Sequence, residues 1–274
     1  MRNYFDAQNM SCKISHFCKH SPVRWLVLFS ILSVLGILMA RWLAPVISRD
    51  GVFYLSLMDL CRSNDSFVAG QDSSRIFLTT PLPFFLAHIF SKGGLSTESA
   101  WLLINILCGA ALPTIIYHIS QIVQKDLRVS LAASFLIACN PSLLQLFAEL
   151  QREPLYIFCG SLVMLYILEG LVKNSAKRWC AAGFFLACMC LTRVEGCEFF
   201  IIAILGVLIY GIMQGHRWAQ LLLNYGIMVG ACLLSFVLIL YIIRVPISFF
   251  QLYFFRLSMH FDRLFDFVKF MIGS

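Results

Sequence analysis

Charged side chains are scarce in this chain. They make up 13% of its 274 residues, about half of the roughly 25% usual in a soluble domain. That shortfall excludes a water-soluble globule, because too little polar surface remains to cover its core. Acids are the scarcer sign, 14 against 21 Lys and Arg. No internal repeat and no low-complexity tract is visible. No small-x-small cleavage site follows the first apolar run, Trp25–Leu43, so that run is read as an uncleaved first transmembrane helix and not as a signal peptide. The 11 cysteines are odd in number and lie scattered through apolar runs. There Cys acts as a small hydrophobe, and no disulfide framework is implied.

What the chain has in abundance is apolar sequence: 60% hydrophobic residues and a mean hydropathy of +0.82. Runs occur at Trp25–Leu43, Ala100–Ser120, Val129–Cys139, Pro154–Val172, Trp179–Leu191, Cys197–Met213 and Ala219–Ile243. About 20 apolar residues cross a bilayer. The fold class expected is therefore all-α, a polytopic transmembrane helix bundle of about seven spans. The runs at Val129–Cys139 and Trp179–Leu191 are short and should extend into neighbouring polar residues. A weaker run, Ile76–Phe90, carries Pro81 and Pro83 and reads as half-buried or re-entrant. The domains expected are a cytoplasmic arm at 1–24, a transmembrane domain at 25–243 with a first extracytoplasmic loop at 44–98, and an amphipathic, interfacial segment at 244–274. In that tail Leu257, Phe261, Leu264, Phe265 and Val268 recur at helical spacing.

Charge placement sets the orientation. With a cytoplasmic N-terminus, the inside segments Met1–Arg24, Gln121–Arg128, Lys173–Arg178 and Gln214–Arg217 hold 10 Lys and Arg. The longer outside segments Ala44–Glu98, Asn140–Glu153 and Thr192–Glu198 hold 6. That bias is the positive-inside signal. The same outside segments carry 9 acids against 2 inside. The net charge of +7 is thus largely topogenic, and it does not point to nucleic acid.

Three groups of residues on the outer side are candidates for chemistry. Asp50 follows the first span, with Tyr54 one helical turn later. A carboxylate at the membrane boundary can take a proton from a hydroxyl nucleophile, and it can equally cap the helix that follows at Gly51–Cys61. That stretch presents Val52, Leu55 and Leu60 and is read as lying along the membrane surface. Glu149, Arg152 and Glu153 precede the run from Pro154; Glu149 and Glu153 would share a face if the stretch were helical. The plain reading is a charged helix start, and the functional one an anionic-ligand contact through Arg152. Arg193, Glu195 and Glu198 lie between Leu191 and the next run. They are an ion-paired turn or a site, since ionisable groups beside a span are costly. Cys12, His16, Cys18 and His20 lack a usual zinc spacing. Cys188 and Cys190 read as packing, and His88, His118, His216 and His260 are isolated.

Arg49-Asp50-Gly51-Val52-Phe53-Tyr54, the stretch Ala148-Glu149-Leu150-Gln151-Arg152-Glu153-Pro154-Leu155-Tyr156, and Gly183-Phe184-Phe185-Leu186-Ala187 leading to Thr192-Arg193-Val194-Glu195-Gly196 occur in that order, with Pro81-Leu82-Pro83 between the first two. Together they resemble the GT-C superfamily of membrane glycosyltransferases, in the branch similar to protein O-mannosyltransferases and lipid A aminoarabinose transferases. The resemblance covers roughly Arg24 to Tyr210. It implies a polyprenyl- or dolichyl-phosphate sugar donor and transfer to an acceptor hydroxyl on the extracytoplasmic face, usually with inversion. It implies Asp50 as general base, and Arg49, Tyr54, Arg152, Glu153, Arg193 and Glu195 as donor-phosphate or substrate-binding positions. No cofactor is implied with certainty, and a divalent metal is left open. The partners implied are the lipid-linked donor, a lipid, glycan or protein acceptor, the bilayer itself, and in one reading a second membrane protein. The location implied is the plasma (inner) membrane, or the endoplasmic reticulum membrane in a eukaryote. The chain departs from the family pattern at Gly51, where a second acid is common, and at Val194, where proline is common. It also ends at Ser274 where family members usually continue, so an N-terminal portion is expected. The rival readings are a truncated or non-catalytic subunit and a small transporter or flippase. Acids gathered at one face without a repeat do not favour the last.

Overall fold

A computed structural model describes residues 22–45, 47, 49–63, 81–199, 203, 205, 206, 209, 218–244 and 258. Its regular structure is helical, with no strand among the described residues. In chain order the helices are α1 (Pro22–Leu43), α2 (Arg49–Ser63), α3 (Pro81–Lys92), α4 (Thr97–Gln124), α5 (Leu127–Ala138), α6 (Pro141–Ala148), α7 (Glu153–Lys173), α8 (Ala176–Thr192) and α9 (Trp218–Ile243). The N-terminal Cys/His group, most of the Cys197–Met213 run and the amphipathic tail lie outside the described residues.

Among the described residues, α1, α4, α7 and α9 are each long and apolar enough to cross a membrane, and α5 with α6 makes a fifth candidate bent by 48°. The short run at Val129–Cys139 is followed by α6, with which it forms a bent apolar pair, so that the segment 140–153 is helical over Pro141–Ala148. Asn140-Pro141 explains the bend. Pro141 cannot continue α5 but suits a first helical turn, and the Asn140 side chain accepts from Leu143 N at 3.1 Å to start α6. α3 has 12 residues, about 18 Å at 1.5 Å per residue, too short for a hydrocarbon core of roughly 30 Å. Its start is buried at Pro81, Leu82, Pro83 and Phe84, in keeping with a half-buried helix.

Two devices hold the spans together where hydrophobicity alone cannot, since lipid is as apolar as a helix face. Pro113 lies inside α4 and has no N–H to give the carbonyl of Gly109. The Ser33 hydroxyl of α1 donates to that carbonyl instead, at 2.9 Å. The second device is close approach. A Cβ on Gly183 of α8 would lie 2.3 Å from the Met228 carbonyl oxygen and 2.9 Å from Cys232 N on α9, so only hydrogen fits there. Around this contact Trp179, Ala182, Leu186, Leu221, Tyr225 and Met228 form one buried cluster with Val163 and Ile167 of α7. A larger cluster, centred on Phe84, Trp101, Phe147 and Leu150, joins α1 to α4 and α6 to α9 at the end of the bundle that carries α2 and α3.

Candidate active site at one end of the bundle

α2 forms where a surface helix was expected, and the apolar residues named for it divide: Val52 is exposed, Leu55 packs against the core, and the Leu60 side chain lies outside the described residues. Gly51, Tyr54 and Met58 face the bundle, while Val52 and Phe53 are exposed. Gly51 explains the choice. A Cβ there would lie 3.0 Å from the Leu150 carbonyl oxygen and 2.9 Å from Ile47 Cγ2, so the helix seats its glycine on the backbone before α7. The family's frequent second acid has no room at this position. Tyr54 then stacks on Trp101 of α4, with centroids 5.3 Å apart and planes 10° apart, and meets Phe84 of α3 edge-on at 5.5 Å. The three rings fix α2 against α3 and α4. Asp50 is exposed within the first turn of α2, where a negative charge suits the helix dipole. The Arg49 side chain lies outside the described residues.

The segment 149–152 is not helical, so Glu149 and Glu153 do not share a helix face as proposed from spacing. α6 ends at Ala148 with Glu149 extended at its C-cap, and α7 begins at Glu153 with Pro154 in its first turn. The segment hangs from α4: Asn105 Nδ2 donates to the Glu149 carbonyl at 2.7 Å, and Trp101 Nε1 donates to the Gln151 carbonyl at 2.9 Å. The Glu149 carboxylate accepts from Gln151 Nε2 at 2.5 Å. Trp101 and Asn105 were missed by sequence reasoning, and the available signal was a polar Asn105 inside a span, one turn after Trp101.

Arg193, just after α8, joins two acids. Its Nη2 donates to Glu195 Oε1 at 2.9 Å and its Nη1 to Glu153 Oε1 at 2.5 Å. The guanidinium lies 5.7 Å from the centroid of the Tyr156 ring, another residue not anticipated. Burial disfavours the ionised form of Glu195, but hydrogen bonds from Arg193 and the local backbone outweigh it and hold the carboxyl at about 2. Burial raises the Tyr54 phenol; Arg152 works against that rise, and Asp50 and Glu153 add to it. Tyr54 therefore stays protonated at neutral pH and able to donate.

The charges of Arg152, Asp50, Glu153 and Arg193 all act on that one phenol, and Arg152 and Arg193 act on Glu195. Asp50, Tyr54, Arg152, Glu153, Arg193 and Glu195 thus form one neighbourhood. Arg152 differs from Arg193: its Nε is buried with no hydrogen-bond partner among the described residues. A buried donor left in this way is costly and suits an anion. An apolar cavity of about 260 Å³ is lined by α3, α7, α8 and α9, including Leu82, Leu155, Phe158, Phe185 and Ile239. That is below the roughly 300–1,000 Å³ of a whole small-molecule site, a size for part of a hydrocarbon chain. Among the described residues no three His, Cys, Asp or Glu side chains converge as metal ligands would.

A comparison with family profiles matches residues 79–243 to the dolichyl-phosphate-mannose-protein mannosyltransferase family. The match covers more than half of the chain. The chain belongs to that family. It is a GT-C-like membrane glycosyltransferase of the mannosyltransferase type. Among curated proteins no significant match is found. The matched stretch begins just before α3 and ends with α9, so it contains the 149–152 segment, Arg193 and Glu195, whereas Asp50 and Tyr54 precede it.

Proposed function

We propose that this mannosyltransferase-family protein transfers a sugar from a polyprenyl-phosphate donor to an acceptor hydroxyl at the extracytoplasmic face. The observation that carries the reading is the pairing of an exposed carboxylate, Asp50, with Arg152, whose buried Nε has no hydrogen-bond partner among the described residues, around the same phenol, in a bundle that also holds an apolar cavity lined by the first turns of α7. A donor with a lipid tail needs both an anion contact and a dry slot at one place. In the proposed reaction the acceptor oxygen attacks the sugar C1 and its proton passes to the Asp50 carboxylate. The C1–O bond to phosphate breaks, and the prenyl phosphate leaves with its charge against Arg152, which matches phosphate geometry. Tyr54 remains protonated and can donate to the same leaving group. Leu155, on the cavity wall, is three residues beyond Arg152 in sequence, which supports a phosphate at Arg152 with its lipid tail in the slot.

The extracytoplasmic assignment draws on the Lys/Arg bias of the opposite end and places the N-terminal arm in the cytoplasm of a multi-pass membrane protein. Acceptors in keeping with the chemistry are hydroxyls of a lipid, a glycan or a protein. The test is transfer from labelled polyprenyl-phosphate mannose in membranes containing the protein or its Asp50→Asn variant. The variant should insert normally and lose about 10²–10⁴-fold in kcat, the range of a general base. Full activity in that variant would sink the assignment of Asp50. Transfer that appears only with a co-purified second membrane protein would favour the subunit reading.

A further inference from the structure

Both arginines of the site stood as phosphate contacts on sequence alone, and their surroundings separate them. Arg193 is committed. Its Nε and Nη2 fork onto the two oxygens of Glu195 at 3.3 and 2.9 Å, a bidentate arrangement that is both strong and directional. Its Nη1 takes Glu153, 40 residues earlier in sequence, at 2.5 Å. Its face lies on Tyr156, whose hydroxyl donates to the Glu195 carbonyl at 3.4 Å. Its backbone N–H donates to Met189 O at 3.0 Å and closes α8. Two carboxylates on one guanidinium leave this group with a negative sum, and an approaching phosphate would have to displace one of them. Arg152 is the residue immediately before Glu153, and its Nε has no hydrogen-bond partner among the described residues.

We infer that Arg193 is a positioning residue: it clasps the first turn of α7 to the turn after α8, and so holds Arg152 where the leaving phosphate departs. The inference rests on the proposed lipid-phosphate reading. Glu153 and Glu195 are, on this view, the two jaws of the clasp and do not transfer protons. The clasp matters because the start of α7 and the end of α8 are far apart in sequence, and Arg152 stands at the N-cap of α7 with no side-chain cap hydrogen bond of its own. Losing the clasp shifts the arginine while leaving its charge in the site.

The experiment uses purified full-length protein in detergent, with farnesyl phosphate and farnesol as binding probes and polyprenyl-phosphate mannose as donor. Arg152→Ala should weaken farnesyl phosphate at least about 30-fold while leaving farnesol unchanged, as loss of a charge-assisted contact requires. Arg193→Lys, which keeps the charge but not the fork, should lower kcat by about 10²-fold, the scale of a small misplacement. Its donor KM and farnesyl phosphate affinity should stay within about threefold of wild type. Glu153→Gln should reproduce that pattern from the other jaw, and the double variant should be no slower than the slower single, because both remove one interaction. If one variant fails to fold, the other decides. Arg193→Lys or Glu153→Gln with wild-type kcat, or Arg193→Lys losing farnesyl phosphate as Arg152→Ala does, overturns the positioning role. Wild-type protein that neither binds farnesyl phosphate nor uses the lipid-linked donor overturns the functional reading, and this inference with it. A wild type that does both, with Arg193→Lys behaving like Arg152→Ala, overturns this inference alone.

Discussion

Two hydrogen bonds from α4 carry the backbone on which Arg152 stands, and removing them one at a time is the most direct test of how the fold builds the site. Asn105 is 1% exposed and Trp101 2%, while Glu149 and Gln151, which carry the acceptor carbonyls, are partly buried, so losing a donor leaves a partly buried carbonyl without its protein partner. In Trp101→Phe an aromatic ring remains against Tyr54, but the Nε1–H that reaches the Gln151 carbonyl at 2.9 Å is gone. In Asn105→Leu the side chain keeps a similar size, but the donor to the Glu149 carbonyl at 2.7 Å is gone. A net hydrogen bond contributes about 0.5–1.5 kcal/mol, and an acceptor stranded in the interior costs about 1–3 kcal/mol. Each variant should therefore lose about 1–3 kcal/mol. The two bonds hold one four-residue segment, so once either is lost the other has less to hold. The double variant should fall short of the sum, as for any pair sharing a structural unit. Activity should suffer more than stability, because Arg152 directly follows Gln151 and a shift near 1 Å at a reacting group can cost about 10²-fold. Thermal unfolding in detergent reads the first quantity, and transfer from polyprenyl-phosphate mannose reads the second. The reasoning fails if both single variants unfold within about 0.5 kcal/mol of wild type and keep their kcat.

Two further outcomes are expected. Gly183→Ala places a methyl 2.3 Å from the Met228 carbonyl oxygen, and α8 and α9 must part by about 1 Å to reach ordinary contact, a loss of about 1–3 kcal/mol by overpacking; a wild-type thermal midpoint would show that this approach is not as close as described. Glu195 is held at about 2 against burial, chiefly by hydrogen bonds from Arg193, below the value near 4.3 of a free Glu. Its contribution is then fully present above pH ~4.3 and is lost as pH falls toward 2. The ceiling is roughly 3 kcal/mol at 1.36 kcal/mol per pKa unit, and screening at a partly exposed pair reduces it to about 1 kcal/mol. Glu195→Gln should therefore flatten the acid limb of a stability-against-pH curve between pH ~5 and 2; an unchanged limb contradicts the pairing.

How far the sequence could be read divides along a physical line. Apolar runs had to become helices, because a backbone in lipid must satisfy its own hydrogen bonds, and α1, α4, α7 and α9 lie where the runs do. Short-range signals held in part: Pro154 falls in the first turn of α7, whereas Asp50 lies inside the first turn of α2 and not at its N-cap. What failed was any inference needing to know which way a polar stretch faces. Val52 and Leu55 looked like one surface-lying face of α2, yet Val52 is exposed while Leu55 packs against the core, because Gly51 seats the helix on the Leu150 backbone. Glu149 and Glu153 looked like one helix face, yet Pro154 restarts the chain and leaves Glu149 extended. The pairing of Arg193 with Glu153 spans 40 residues and depends on how α7 and α8 cross, which no local pattern encodes. The misses at Trp101 and Asn105 were of another kind. A hydrogen-bonding side chain inside a membrane span is costly unless it has a partner, and Pro113 with Ser33 follows the same rule, since the proline frees a carbonyl that a hydroxyl on the next helix must meet. Polar residues within the spans therefore report where backbone outside the regular helices must come to rest. In this chain that backbone is 149–152, the segment that presents Arg152.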